Sequence, residues 1–174
     1  MGKLYSAHYM NRDIREVVKA CIAGNGNAQK ALYDRFAPAM LGVLMRYFRD
    51  KSQAEDILQE GFLKVFQNVH KLKDYELVGA WMRRIMVNEA LQFLRSGKRH
   101  FQFDEVENLT YLSTDDDIIS DLSAQEILSL LENLPEGYRI VFNLYAVEGY
   151  SHKEIADKLG ISESTSKTQY FRAK

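Results

Sequence analysis

The chain has 174 residues, of which 46% are hydrophobic and 27% are charged, so it can bury a core, and disorder throughout is excluded. Two prolines and ten glycines in this length favour helices over a strand-and-turn architecture. No run approaches the roughly 18 consecutive apolar residues of a membrane span, and the N-terminus lacks the apolar core of a signal peptide. We therefore expect a cytoplasmic protein.

The net charge of -1 hides a segregation of charge along the chain. Residues 1–100 contain 17 basic residues (Lys and Arg) and 10 acidic residues (Asp and Glu). Residues 101–135 contain 9 acidic residues and no basic one, and residues 136–174 contain 6 basic and 5 acidic residues. This pattern predicts two modules joined by an acidic connector, and such asymmetry is frequent in nucleic-acid-binding proteins.

The first predicted module, residues 10–100, begins with two helices. Apolar residues recur at i, i+3 and i+4 from Ile14 to Ile22, and Gly24 is expected to end that helix. Asn27 is a candidate cap for the second helix, which Pro38 is expected to interrupt.

Two further helices complete this module. Ser52 and Glu55 have the spacing of a capping box at the start of a long helix. After a polar connection, Gly79 precedes a helix predicted from about Ala80 to Arg95, and Gly97 follows its end.

Residues 101–122, which include Asp115, Asp116 and Asp117, have no helical or strand period. We predict a flexible acidic linker, although a solvated loop without a role has the same composition.

The second predicted module, residues 123–174, contains a helix-turn-helix. Ser123 and Glu126 form a capping-box pattern ahead of an apolar helix, and a second helix ends at Gly149. Ser151 and Glu154 form another capping-box pattern at the start of the third helix, Gly160 is expected to make the turn, and Ser162 is the predicted cap of the last helix. Two short helices joined in this way are typical of a helix-turn-helix. The fold class predicted is all-α, with two small helical domains.

The final helix presents the first candidate nucleic-acid surface. Ser166, Tyr170 and Ala173 repeat at i, i+4 and i+7 and should face inward. A helix of this kind fits the major groove of B-DNA, although any α-hairpin has similar caps and turns. The side chains expected to point outward are Ser164, Lys167, Thr168, Phe171 and Arg172.

The helix predicted at 80–95 carries a second polar surface without an acid. Arginines can bind phosphate and amides can bond base edges, whereas a solvated face would need no explanation. The polar stripe lies beside Trp81 and Ile85 and consists of Arg84, Asn88, Gln92 and Arg95. The positive charge extends beyond the helix end through Lys98, Arg99 and His100.

Two weaker signals accompany these surfaces. One is a polar helix face on which Asp56, Glu60 and Lys64 stand at i, i+4 and i+8. Lys64 can offset the repulsion between the two acids, and the face is suited either to solvent or to a basic partner surface. Tyr75, in the connection 73–78, can stack on unpaired bases, although such a tyrosine is more often a packing residue.

No enzyme site is visible in the sequence. It has no phosphate-cradling glycine loop, no nucleophile elbow and no metal-spaced histidines, and Cys21, the single cysteine, falls at a core position. We predict no catalytic residue, no cofactor and no metal.

Four segments in this order resemble extracytoplasmic-function (group IV) sigma factors of the sigma-70 family of RNA polymerase sigma factors. The segments are Ala54-Glu55-Asp56-Ile57-Leu58-Gln59-Glu60-Gly61-Phe62, Ala80-Trp81-Met82-Arg83-Arg84-Ile85 with Asn88, Leu134-Pro135-Glu136, and the hairpin from Ser151 to Lys174. The resemblance covers about residues 10–100 and 123–174.

The resemblance implies a role for each surface. The face with Asp56, Gln59, Glu60 and Lys64 would dock on the coiled coil of the largest polymerase subunit. The 80–95 helix and the 73–78 loop would recognise and open the −10 promoter element, and the final hairpin would read the −35 element. The linker would pass through the RNA exit path. An anti-sigma factor is an expected partner, and the free chain is expected to be a monomer.

The chain departs from the family at Ser166, where relatives often have Val, and at Gln169, where they often have Arg. These departures predict weaker inner packing of the last helix and the loss of one phosphate contact. The chain ends at Lys174, inside the recognition helix, where relatives usually continue. Two other classes remain open: a stand-alone helix-turn-helix repressor and a protein-binding adaptor without DNA binding.

Overall fold

The computed structural model describes residues 9, 12–96 and 133–174, and within them the chain is helical without a strand. Contacts divide the chain into two compact units, Met1–Gln92 and Phe93–Lys174. The predicted linker at 101–122 and the Ser123–Glu126 capping box lie outside the described residues, as do Gly97, Lys98, Arg99 and His100.

The first unit starts with helix α1, Ile14–Ile22, which Asp13 caps by accepting a hydrogen bond from the Arg15 backbone N–H at 2.9 Å. Gly24 follows its end with a φ of 79°, as its position predicted. Cys21 is buried on the core face of α1, and burial raises the pKa of its thiol to about 11, so the thiol stays protonated at neutral pH.

Helix α2, Gly26–Leu44, differs from the prediction at both its start and its middle. Asn25, not Asn27, is the cap, and its side chain accepts from the backbone N–H groups of Asn27 and Ala28. The predicted interruption at Pro38 is wrong, since the helix runs through it. Pro38 is exposed, whereas apolar residues on both sides of it are buried, so core packing outweighs the local cost of about 3 kcal/mol.

Helix α3, Lys51–Asn68, begins before the predicted capping box. Asp50 is the cap and accepts from the Ser52 backbone N–H at 2.9 Å, so the assignment of Ser52 and Glu55 as a capping box is wrong. Aspartate and serine cap helices about equally well, so residue type alone does not decide between Asp50 and Ser52.

Helix α4, Val78–Ser96, follows a 3₁₀ turn at Tyr75–Leu77 and therefore begins two residues earlier than predicted. It packs closely on α3 because residue 61 is a glycine. A Cβ at Gly61 would overlap the Met86 sulfur, so a larger residue here would force the two helices apart or displace Met86.

The second unit contains α5, Glu136–Phe142, a π-helical turn at Asn143–Val147, α6, His152–Leu159, and α7, Glu163–Ala173. The capping box of Ser151 and Glu154 is confirmed, and its hydrogen bonds lower the pKa of Glu154. Gly160 is left-handed, with φ 71°, and Ser162 caps α7. The predicted helix-turn-helix is therefore present.

The inner face of α7 includes a polar residue that helical spacing did not predict. Ser166 is buried as expected, but Gln169 is also buried, whereas Tyr170 and Ala173 are only partly buried. Neither atom of the Gln169 amide has a hydrogen-bond partner in the part of the chain that the structure describes. A buried amide of this kind lowers the free energy of unfolding.

Replacing Gln169 with Leu is expected to stabilise the second unit by about 1–2 kcal/mol, because it removes an amide that was desolvated without compensation. Thermal unfolding monitored by near-ultraviolet circular dichroism would measure the shift. The matched control is Gln67→Leu, at an exposed position of α3, where we expect a change within about 0.5 kcal/mol. A lower stability of Gln169→Leu would show that the amide is satisfied in solution.

Candidate nucleic-acid and protein interfaces

The exposed face of α3 combines acids with a large apolar side chain. Asp56, Gln59 and Glu60 are all exposed, as the sequence predicted. Leu63 lies on the same face, at i+7 from Asp56, and is 56% exposed. Sequence reasoning missed Leu63, although its position outside the apolar stripe of α3 is a signal that could have found it. The resulting surface, which we call the acidic face, carries exposed acids followed by one exposed apolar side chain.

Lys64 turns away from the acidic face towards α4. Its ammonium forms an ion pair with Glu89 and also donates a hydrogen bond to Oε1 of Gln92 at 3.3 Å. The Glu89 side chain is only 13% exposed, so this ion pair is less screened by solvent than a surface pair. We expected Lys64 to offset the repulsion between Asp56 and Glu60. In the structure Lys64 instead links α3 to α4.

The polar stripe on α4 is exposed along its length. Its four members, Arg84, Asn88, Gln92 and Arg95, are all exposed, whereas Trp81 and Ile85 beside them are partly buried. The stripe offers two guanidinium groups and two amides on one helix face. Such a surface can bind phosphates and can also form hydrogen bonds with base edges.

The loop before α4 is held against α1. Asp74 caps the 3₁₀ turn by accepting from the Glu76 backbone N–H at 3.0 Å. Glu76 Oε1 accepts from Arg15 Nε at 2.6 Å, a contact across 61 positions of sequence that no local pattern predicts. Tyr75 is partly buried and Leu77 is 57% exposed. The loop therefore presents an apolar side chain to solvent next to the start of α4.

The outward residues of α7 differ in how exposed they are. Ser164 and Lys167 are exposed, whereas Thr168 and Phe171 are partly buried. Lys167 pairs with Glu163 at 2.8 Å, one turn earlier on the same helix. The first two turns of α7 thus carry hydroxyl, ammonium and carboxylate groups at the surface.

Arg172, also predicted to point outward, is partly buried and contacts α5. Its Nη1 donates to the Tyr138 hydroxyl at 3.0 Å, and its guanidinium lies over the Tyr138 ring at 6.0 Å from the centroid. This arrangement fixes the end of α7 against α5 and leaves Arg172 less available to a phosphate than Lys167 is.

An aromatic cluster holds the two helices of the helix-turn-helix together. The His152 ring stacks on Tyr145 at 4.4 Å, and Tyr170 lies 4.5 Å from Tyr145. His152 Nδ1 is 3.0 Å from the hydroxyl of buried Ser166. Burial and the nearby Lys167 charge lower the pKa of His152 and so favour its neutral form. His152 is partly buried and serves the packing of the helix-turn-helix.

Within residues 9, 12–96 and 133–174, no group of three His, Cys, Asp or Glu side chains is arranged to hold a metal ion. No helix in this part of the chain has the length and apolar character needed to cross a membrane.

Comparisons with known proteins identify both units. Residues 32–100 match Sigma-70 region 2, and residues 124–174 match Sigma-70, region 4. RNA polymerase sigma factor SigZ of Bacillus subtilis (strain 168) is 28% identical over 143 residues, which cover 82% of this chain and 81% of SigZ. Sigma factor SigV of the same strain is 30% identical over 128 residues, covering 73% of this chain and 75% of SigV. The co-crystal structure of the sigma factor RpoE with the anti-sigma factor NepR from Bartonella quintana is 21% identical, with a TM-score of 0.44 over 83% of this chain and 90% of that one.

The chain belongs to the sigma-70 family, whose members are non-catalytic transcription initiation factors. Within this family it is a sigma factor of the extracytoplasmic-function group, and it directs promoter-specific transcription by RNA polymerase. The predicted fold class and family are thereby confirmed, and the repressor and adaptor alternatives are not favoured.

Proposed function

We propose that the acidic face of α3 is the surface that docks on core polymerase. Asp56, Gln59 and Glu60 would meet a basic surface on the coiled coil of the largest polymerase subunit, as the family resemblance implies. Leu63, 56% exposed about one turn beyond Gln59 and Glu60, would bury its side chain in the contact. Protein interfaces usually combine buried apolar side chains with polar and charged groups around them. Lys64, which the sequence grouped with these residues, is engaged by Glu89 and serves α4 instead.

The stripe on α4 and the loop at residues 73–78 would read and open the −10 element. Asn88 and Gln92 can bond base edges, while Arg84 and Arg95 can bind phosphates. Tyr75 and Leu77 in the adjoining loop offer apolar surface on which an unpaired base can stack. Lys98 and Arg99, which follow the described part of α4, would add phosphate contacts.

Helix α7 would read the −35 element as duplex DNA. Ser164, Lys167 and Thr168 lie in its first two turns, the part of a recognition helix that contacts base edges. Phe171 and Arg172 follow in the last turn. The Arg172 contact with Tyr138 favours a role for Arg172 in orienting α7, and Lys167 would supply the main phosphate contact.

We expect this function to need no catalytic group or cofactor in the chain, and we expect the protein to act with polymerase in the cytoplasm and to be a monomer when free. An anti-sigma factor, expected from the family, would compete with polymerase for the acidic face or with promoter DNA for the α4 stripe.

The observation that carries the proposal is the separation of three exposed surfaces of different chemistry onto α3, α4 and α7. The test is promoter binding by the chain with and without core polymerase. With a net charge of -1, the isolated chain has little long-range attraction for DNA and should bind a promoter poorly. Added core polymerase should give specific binding and run-off transcripts. Tight, specific binding without polymerase would overturn the proposal in favour of a repressor.

A further inference from the structure

Lys64 and Gln92 form a contact between the helix proposed to dock on polymerase and the helix proposed to read DNA. The close approach of α3 and α4 at Gly61 and Met86 brings Lys64, one turn further along α3, within reach of Glu89 and Gln92. The Lys64 ammonium therefore lies at the edge of the α4 stripe.

The chemistry of this contact fixes the orientation of the Gln92 amide. A lysine ammonium has donors and no acceptor, so the amide atom that faces it at 3.3 Å must be the oxygen Oε1. Gln92 is exposed, and with its oxygen turned towards α3 its amide NH₂ group faces outward. The ion pair with the largely buried Glu89 holds the ammonium in place.

We propose that Lys64 is a positioning residue that makes Gln92 a hydrogen-bond donor towards promoter DNA and thereby sets its base preference. This inference rests on the proposed role of the α4 stripe in reading the −10 element. A glutamine recognises adenine through both amide atoms, with the oxygen accepting from N6 and the nitrogen donating to N7. Because Lys64 competes for the oxygen, Gln92 should favour acceptor edges, such as guanine O6 and N7 or thymine O4, over adenine.

The test is transcription from a promoter library randomised across the −10 element, with holoenzyme assembled from the full chain and core polymerase. The position that Gln92 reads is the one whose base preference changes in Gln92→Ala. At this position, Lys64→Met should raise the use of adenine relative to guanine and thymine by about five- to tenfold, because the freed amide oxygen can then accept a hydrogen bond from adenine N6. The shift should vanish in the double variant Lys64→Met/Gln92→Ala, because Lys64 acts through Gln92.

Two further variants control for folding and for charge. Lys64→Met leaves Glu89 without its cation, so Lys64→Met/Glu89→Leu, which removes both charges, should fold well and give the same shift. Lys51→Met removes an equal charge from an exposed position at the start of α3 and should leave the preference unchanged.

The outcomes separate this inference from the proposed function. A uniform loss across all promoters in Lys64→Met would overturn the inference and make Lys64 a direct phosphate contact. A shift in base preference that persists without Gln92 would also overturn it and would make Lys64 a direct base contact. If Gln92→Ala changes no preference while Asn88→Ala does, the inference fails and the α4 assignment stands. If neither variant changes a preference, the α4 assignment fails as well.

Discussion

Reversing the charge of Asp56 and Glu60 to Lys is expected to weaken binding to core polymerase by about tenfold or more. Both carboxylates are exposed on the acidic face, and charges that meet opposite charges across an interface govern association rate and register. Neither position is buried, so circular dichroism should show unchanged helicity. Affinity measured at physiological salt by fluorescence anisotropy with labelled chain would give the result.

The matched control is Glu16→Lys/Asp34→Lys, which makes the same charge change on α1 and α2 of the same unit. Each of these acids pairs with a cation four residues earlier in the chain, and the loss of such surface pairs costs little. A similar drop in affinity for both double variants would mean that net charge alone, and not the acidic face, governs binding. Leu63→Ala extends the test to the exposed apolar side chain of the acidic face, and Ile22→Ala, at another exposed apolar position, is its control.

Asn88→Ala and Lys167→Ala should impair transcription in different ways. An amide on the α4 stripe can discriminate bases, so Asn88→Ala should change the preferred −10 base by about 1–3 kcal/mol. Lys167 supplies charge on α7, and its loss should lower activity evenly across −10 variants and reduce the salt dependence of promoter binding by about one phosphate contact. Transcription from a promoter library randomised across the −10 element, measured at several salt concentrations, gives both effects.

Asn27→Ala, at an exposed position near the start of α2, is the control for Asn88→Ala and should have no effect on base preference. Lys167 has to leave its ion pair with Glu163 to reach a phosphate, but a solvent-exposed pair at i and i+4 opposes this only weakly. An unchanged −10 preference in Asn88→Ala combined with an altered one in Lys167→Ala would show that the two surfaces are assigned to the wrong elements.

The features that sequence predicted best are those encoded within a few residues. The Ser151 and Glu154 capping box, the left-handed Gly160 and the Ser162 cap each depend on contacts at most four residues apart, and all three formed as expected. Local signals failed where two of them compete. Asp50 and Ser52 are about equally good caps by residue type, and Asp50 is the one that is used. Pro38 is a separate case, in which the helix continues and buries apolar residues on both sides of the proline.

The residues that sequence missed depend on tertiary contacts. The Lys64 contact with Glu89 spans 25 positions, and the Arg15 contact with Glu76 spans 61, so neither follows from the period of one helix. Gln169 is buried because of how α7 packs, although glutamine is usually exposed. Leu63, in contrast, is an apolar residue that is exposed to solvent. It marks a candidate interface because exposed acids share its helix face.

The buried thiol of Cys21 makes the chain well suited to site-specific labelling. A thiol with a pKa of about 11 and almost no solvent exposure reacts slowly with maleimides, and it is the single cysteine of the chain. A cysteine introduced at an exposed position of α3, α4 or α7 would therefore react selectively without prior removal of Cys21. Fluorophores placed in this way on both units would report the distance between them as polymerase and promoter bind.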